Sequence, residues 1–219
     1  MNKPIICFTS DVDWADEEVI KYTIDLFKKY ETPITFFVTH KSKVIEKYCK
    51  KKDLGIHPNF MKGSTQGNNY KSVIKHCLKL VTNTKWCRSH GYYENTSVLK
   101  EIYNQGIRND FYWSNMESDL MPYKHFTGIT RYPVFFDDSV YLRLNKEERK
   151  RNIELMFKLL STQGLKIFDF HPIHIYLNTP SQKYYENFKK HYDGKDIDKF
   201  VFKGKGIRTL LIELLRCLK

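Results

Sequence analysis

Asp11 and Asp13 stand two residues apart at the end of an apolar run, in Thr9-Ser10-Asp11-Val12-Asp13. In extended chain, side chains at i and i+2 point the same way, so both carboxylates can reach one pocket. One would act as a base and the other as a metal ligand. The alternative use of Asp13 is to cap a helix beginning near Asp16. His57 lies in Gly55-Ile56-His57-Pro58-Asn59, where Pro58 removes a backbone donor and stiffens the turn around the imidazole. It reads either as a metal ligand or as a hydrogen-bonded structural histidine. In Arg88-Ser89-His90-Gly91, the guanidinium of Arg88 can grip a carboxylate through two donors, or close a salt bridge at the end of a barrel. Gly91 permits a positive φ beside His90. In Phe168–Asn178, alternation puts Asp169 and His171 on one strand face, with His174 out of that register. His171 is therefore the histidine expected to face the site. Asp169 serves the site or a buried pair with Lys or Arg. Asp137 and Asp138 follow a further apolar run.

These residues need elements to bring them together. Short apolar runs at 3–12, 33–39, 54–57, 85–90, 107–112, 129–136 and 165–176 read as strands. Between them, helical periodicity marks 16–30, 41–52, a stretch around Val73–Val81, and a stretch around Val98–Tyr103. The last of these has Thr96 as the expected N-cap and Gly106 as its stop. Helices are also expected over 145–161 and at the C-terminus, on Leu211, Leu214, Leu215 and Leu218. About seven strands alternating with six or seven helices is βαβ repetition, an α/β fold with a parallel sheet that is either a barrel or open. In a parallel barrel all strand C-termini meet at one face, which holds the active site. The candidate residues sit at strand ends, so they converge there. No linker divides the chain, and 1–219 is expected to be one domain. Residues 180–219 form a C-terminal extension, whose polar and aromatic stretch 182–205 reads as a surface excursion before the last helix.

Composition narrows the classes of function. The net charge is +12, but Lys supplies 29 of the 37 basic residues and Arg 8. Nucleic-acid readers lean on Arg for bidentate contacts, so the charge is assigned to solvated faces and no nucleic-acid partner is expected. The five cysteines are odd in number and no two form a CxxC pair, which argues for free thiols in a reducing compartment. No window has the length and apolarity of a transmembrane span, and the apolar run at Pro4–Phe8 is too short for a signal peptide. A cytoplasmic location is expected.

Taken in order, Thr9–Asp13, Gly55–Phe60, Arg88–Gly91 and Phe170-His171-Pro172 resemble the motifs of the polysaccharide deacetylases, carbohydrate esterase family four. The chain is similar to a divergent branch associated with bacterial O-antigen or capsule biosynthesis. The resemblance spans residues 5 to 178 and implies a distorted (β/α) barrel of about seven strands. It implies Asp11 as the base that activates water, Arg88 as the group that positions it, and His171 as the acid that protonates the leaving amine. Asp13 and His57 would hold a divalent metal, zinc by expectation. Two departures stand out. Val12 separates the aspartates that the family keeps adjacent, and Met61 occupies the place of the family's second motif histidine. Methionine is a poor zinc ligand in an oxygen and nitrogen site. His90, where the family has proline, is the expected third ligand, with Asn59 and Gln66 as alternatives. Trp14, Asn59, Tyr92 and Asp138 are expected to contact substrate, and Tyr93 and Trp113 are further candidates for stacking on sugar.

The expected activity is removal of an N-acetyl group from a sugar or glycan. Two rivals stand beside it. One is a glycan-binding barrel without catalysis, motivated by Met61. The other is an amidohydrolase acting on a different C–N bond without a metal.

Overall fold

The computed structural model describes residues 4–114 and 120–218. Seven parallel strands close into a ring: β1 (Ile5–Asp11), β2 (Ile34–Val38), β3 (Leu54–Ile56), β4 (Trp86–Cys87), β5 (Asn109–Trp113), then β7 (Thr130–Asp137) and β8 (Leu165–Asp169), which returns to β1. An additional two-residue strand, β6 (Tyr123–Lys124), lies antiparallel on the first residues of β7. The ring is thinnest at β4, which touches β3 through one register pair, Ile56↔Cys87. Between β7 and β8 the register slips between Val134 and Phe136. Such irregularity bends a barrel away from a regular form.

The helices are α1 (Glu17–Lys29), α2 (Lys43–Tyr48), α3 (Tyr70–Leu80), α4 (Thr96–Asn104), α5 (Asp138–Arg143), α6 (Lys146–Leu159), α7 (Pro172–Leu177), α8 (Gln182–His191) and α9 (Ile207–Cys217). Helix α1 shows why this sequence folds as it does. Val19, Ile20, Thr23, Ile24 and Phe27 fall on one face and are buried, while Glu17 and Glu18 occupy the first turn, where the helix dipole favours them. Inside the ring, Phe37, Phe111, Val134 and Ile167 form a closed apolar cluster. Two larger clusters fill the space between ring and helices. The ring therefore encloses side chains and is no channel.

Several local expectations are corrected. The last strand ends at Asp169 and not at Tyr176. His171 is the N-cap of α7 and Pro172 its first residue, where the missing N–H costs nothing and the fixed φ suits a helix. The fourth strand is two residues long and is followed by a short 3-10 turn at His90–Tyr92. Asn95, not Thr96, caps α4 through its side chain to the Val98 N–H. Helix α2 spans six residues, and its neighbour Cys49 is already extended. The stretch 182–205 is more than an excursion: it holds α8, whose Phe188 is buried with Val19, Tyr176, Leu177 and Ile197.

Candidate active site

At the C-terminal ends of the strands lies a cavity of about 690 Å³. Asp11, Asp13, His57, His90 and His171 line one side of it. Tyr185, Phe188, Tyr192 and Ile197 also line it. A second cavity of about 490 Å³, between Pro4, Phe8, Pro33 and Leu218, has no histidine in its wall. The chemistry therefore belongs to the first.

Strand β1 ends at Asp11, and Val12 is fully buried between the two carboxylates. Asp13 has φ of 47°, in the left-handed region that a short polar side chain tolerates best among non-glycine residues. The two aspartates thus reach the pocket through a turn, not through the extended i, i+2 geometry expected of them. One oxygen of Asp13, Oδ1, lies 3.0 Å from His90 Nδ1 and 3.3 Å from His57 Nε2. The two histidine nitrogens are 3.3 Å apart. A tetrahedral ion with bonds of about 2.0–2.1 Å spaces its ligand atoms about 3.3 Å apart, so the three donors fit a divalent metal. The second ring nitrogen of His57, Nδ1, is buried with no hydrogen-bond partner among the described residues, and Asp11 Oδ1 lies 3.2 Å away but out of line. A proton on Nδ1 leaves Nε2 free to ligate, the arrangement that histidine–carboxylate pairs impose in metal sites. Burial holds the His57 imidazole below its usual value. Burial opposes the charge of Asp13 too, yet its contacts with His57 and His90 outweigh it and hold the carboxyl well below the usual range. His90 is pulled down by burial but raised overall by Asp13.

Arg88 is fully buried and spans two carboxylates. Its Nε donates to Asp11 Oδ1 at 2.8 Å, its Nη1 to Thr9 Oγ1 at 2.8 Å, and its Nη2 to Asp169 Oδ1. Burial pushes the Asp11 carboxyl up, to about 6, against the pull of Arg88. Burial raises Asp169 as well. Arg88 thus orients Asp11 from behind and does not face the pocket.

Asp138 accepts from the backbone N–H of His171 at 2.9 Å and pairs with His171 Nδ1 at 2.6 Å. Burial alone would lower the His171 pKa, but the Asp138 carboxylate raises it well above the ordinary value. The imidazole Nε2 faces the pocket 3.7 Å from Asp13 Oδ2. Asp138 was expected on the substrate side. It is fully buried behind His171 and positions it instead.

Asn59 is also placed differently from expectation. Its Oδ1 accepts from the Met61 N–H at 3.0 Å, and its own N–H donates to Gln66 Oε1 at 2.7 Å. Both side-chain amide oxygens are engaged in holding the loop. Met61 is 42% exposed at the pocket edge. Trp14 is half exposed and stands edge-on to His90 with ring centroids 5.2 Å apart. Tyr92 lines the pocket and donates to Asp137 Oδ2 at 2.6 Å. Asp137 in turn caps α5 by accepting from the Ser139 and Val140 N–H groups.

Three contributors escaped the sequence reading: Asp137 as the anchor of Tyr92, Asp138 as the partner of His171, and the aromatic wall of α8. The wall did leave a signal, since Tyr185, Phe188 and Tyr192 are spaced i, i+3, i+7. His174, the histidine set aside, is buried against Tyr185 with ring centroids 4.5 Å apart. Burial depresses it to about 3.

The family model described as WbmS-like polysaccharide deacetylase matches residues 8–189. Among solved structures, a protein named as a polysaccharide deacetylase involved in O-antigen biosynthesis, WbmS of Bordetella bronchiseptica, matches at 27% identity and a TM-score of 0.83. That match covers 97% of this chain and 90% of the other. A polysaccharide deacetylase structure from Mycobacterium smegmatis matches at 17% identity and a TM-score of 0.47, over 77% of each chain. One from Bacillus cereus matches at 13% and 0.43, over 78% of this chain and 80% of the other. No curated protein matches the chain. The chain belongs to the WbmS-like polysaccharide deacetylases, hydrolytic enzymes acting on C–N bonds.

Proposed function

We propose that this enzyme removes an N-acetyl group from a sugar or glycan in bacterial surface polysaccharide biosynthesis, using a divalent ion, zinc, held by Asp13, His57 and His90. The observation that carries this reading is the triangle of Asp13 Oδ1, His57 Nε2 and His90 Nδ1, with edges of 3.0 to 3.3 Å, set between Asp11 and His171. When bound, the ion supplies Lewis acidity toward the acetyl carbonyl and the attacking water. Asp11, aimed by Arg88, accepts the proton of that water. Its carboxyl, raised to about 6, remains largely ionised at neutral pH while being a stronger base than an ordinary aspartate. His171, whose protonated form the Asp138 carboxylate favours, donates to the departing nitrogen, which is a poor leaving group unless protonated. Trp14 and Tyr92 offer aromatic faces to a sugar ring. The O-antigen role rests on the WbmS match. A cytoplasmic location is supported by five cysteines that form no disulfide, and no described helix is long and apolar enough to cross a membrane.

Elemental analysis of protein purified without chelator tests the metal. About one ion per chain is expected in wild type and none in Asp13→Ala, His57→Ala or His90→Ala. Retention in His90→Ala would remove His90 from the ligand set. Absence from wild type after zinc addition would sink the metal reading. Acetate release from acetylated amino sugars tests the reaction. Asp11→Asn should lower kcat by about 10² to 10⁴ with metal content unchanged.

A further inference from the structure

The mouth of the pocket carries two cations that the deacetylation chemistry does not use. Arg143 ends α5 and Lys189 lies on α8, and both line the cavity that holds Asp13 and His171. The two helices touch one another. Arginine is scarce here, at 8 residues, and most of it is engaged. Arg88 and Arg131 donate to carboxylates, while Arg108, Arg149 and Arg208 donate to backbone carbonyls. Among the described residues, no carboxylate lies within ion-pair distance of Arg143 or Lys189. The acids of the same wall have donors of their own. Asp137 is held by Tyr92 and Ser139, and Asp16 lies beside the Tyr192 hydroxyl.

The placement of these cations is tied to the site. Helix α5 starts on Asp137 and Asp138, the two residues that hold Tyr92 and His171, so Arg143 sits one short helix away from the acid. The Lys189 ammonium lies over the ring of Tyr185, 4.8 Å from its centroid, and Tyr185 is itself part of the pocket wall. Lys189 is exposed, and the contact with Tyr185 keeps its charge at the rim of the cavity. Near the chemistry the wall is crowded with Asp11 and Asp13, which would repel an anion, whereas the α5–α8 side would attract one.

We infer that the substrate carries an anionic group, a carboxylate or a phosphate, near its acetamido group, and that Arg143 and Lys189 receive it at the mouth of the pocket. The inference rests on the deacetylase reading and names the substrate class within it. An acidic amino sugar, such as a hexosaminuronic acid or a sugar phosphate, has the required chemistry. The bidentate fork of Arg143 would fix orientation, and Lys189 would supply charge.

Three probes test it: the methyl glycoside of N-acetylglucosamine, that of N-acetylglucosaminuronic acid, and N-acetylglucosamine 1-phosphate. Binding by titration calorimetry and acetate release are measured on metal-loaded enzyme. At least one acid is expected to bind about tenfold or more tightly than the neutral glycoside, the ratio expected of one charge-assisted contact at a partly solvated rim. The carboxylate and phosphate arms show which group the site takes. The preference should collapse toward one in Arg143→Ala/Lys189→Ala, reverse in Arg143→Glu, and weaken as salt is raised. Lys150→Ala, on α6, removes a charge outside the pocket wall and should keep the preference. Thermal melts confirm that the surface variants are folded. Equal binding and turnover of neutral and acidic sugars by wild type would overturn the inference and leave the deacetylase reading standing. Absence of binding and of acetate release for all three would fail the underlying reading, and the inference with it.

Discussion

The two halves of the site are built on opposite terms. Around Asp11 and His171, protein groups satisfy one another: Arg88 bridges Asp11 and Asp169, and Asp138 holds His171 through two contacts. Around Asp13, the same oxygen faces two histidine nitrogens, the residue adopts a left-handed φ, and its side chain is 27% exposed. The first half has its hydrogen bonds closed within the protein. The second gathers donors in excess of acceptable partners, as a ligand set does. A buried charge lattice and a half-open donor cluster can therefore start from residues two apart in the chain, and they should respond differently to mutation.

Arg88→Ala should have the largest effect. It leaves two buried carboxylates without their cation, a change that costs about 3–5 kcal/mol in comparable buried pairs. Denaturant unfolding would report it, and a loss under 1 kcal/mol would break the contrast. Asp138→Asn comes next. Without the carboxylate the His171 pKa falls, so the protonated acid is lost at lower pH. The basic limb of the kcat profile should move toward acid, and kcat should drop about tenfold to hundredfold at neutral pH. An unmoved limb would remove Asp138 from its role.

His174 gives a stability prediction with a definite sign. The unfolded imidazole takes up a proton near 6.5, whereas the folded one resists until about 3. Its contribution is therefore present above pH 6.5 and lost progressively as the pH falls toward 3. At pH 5 the difference is at most about 2 kcal/mol. His174→Gln should flatten that acid limb in a series of unfolding curves. The smallest effect is expected from Asp13→Ala in metal-free protein, within about 1 kcal/mol of wild type, because it leaves no unpaired buried cation. A loss as large as that of Arg88→Ala would mean the cluster is structural.

Much of this arrangement was legible from residue order. The apolar runs gave seven strands because a strand buried on both faces must be apolar throughout. Polar residues directly after those runs marked one end of the ring, so Asp11, His57, Arg88 and His171 were found together. What the chain order left open was direction and partner. Asn59 looked like a pocket residue by position, yet its amide closes a loop onto Met61 and Gln66. Asp138 looked like a substrate contact, yet it turns inward.

By itself, then, the sequence determined the alternation of strand and helix, the seven-strand count, and which polar side chains stand at strand ends. Hydrophobic periodicity and local propensity act over a few residues and are written in the chain. The tertiary structure alone decided that Asp13 turns through a positive φ, that the chain bends into a helix at Pro172, that Asp137 and Asp138 serve Tyr92 and His171, and that α8 walls the pocket. Each of these depends on contacts between residues tens of positions apart, and those contacts exist only once ring closure brings the strand ends to one place.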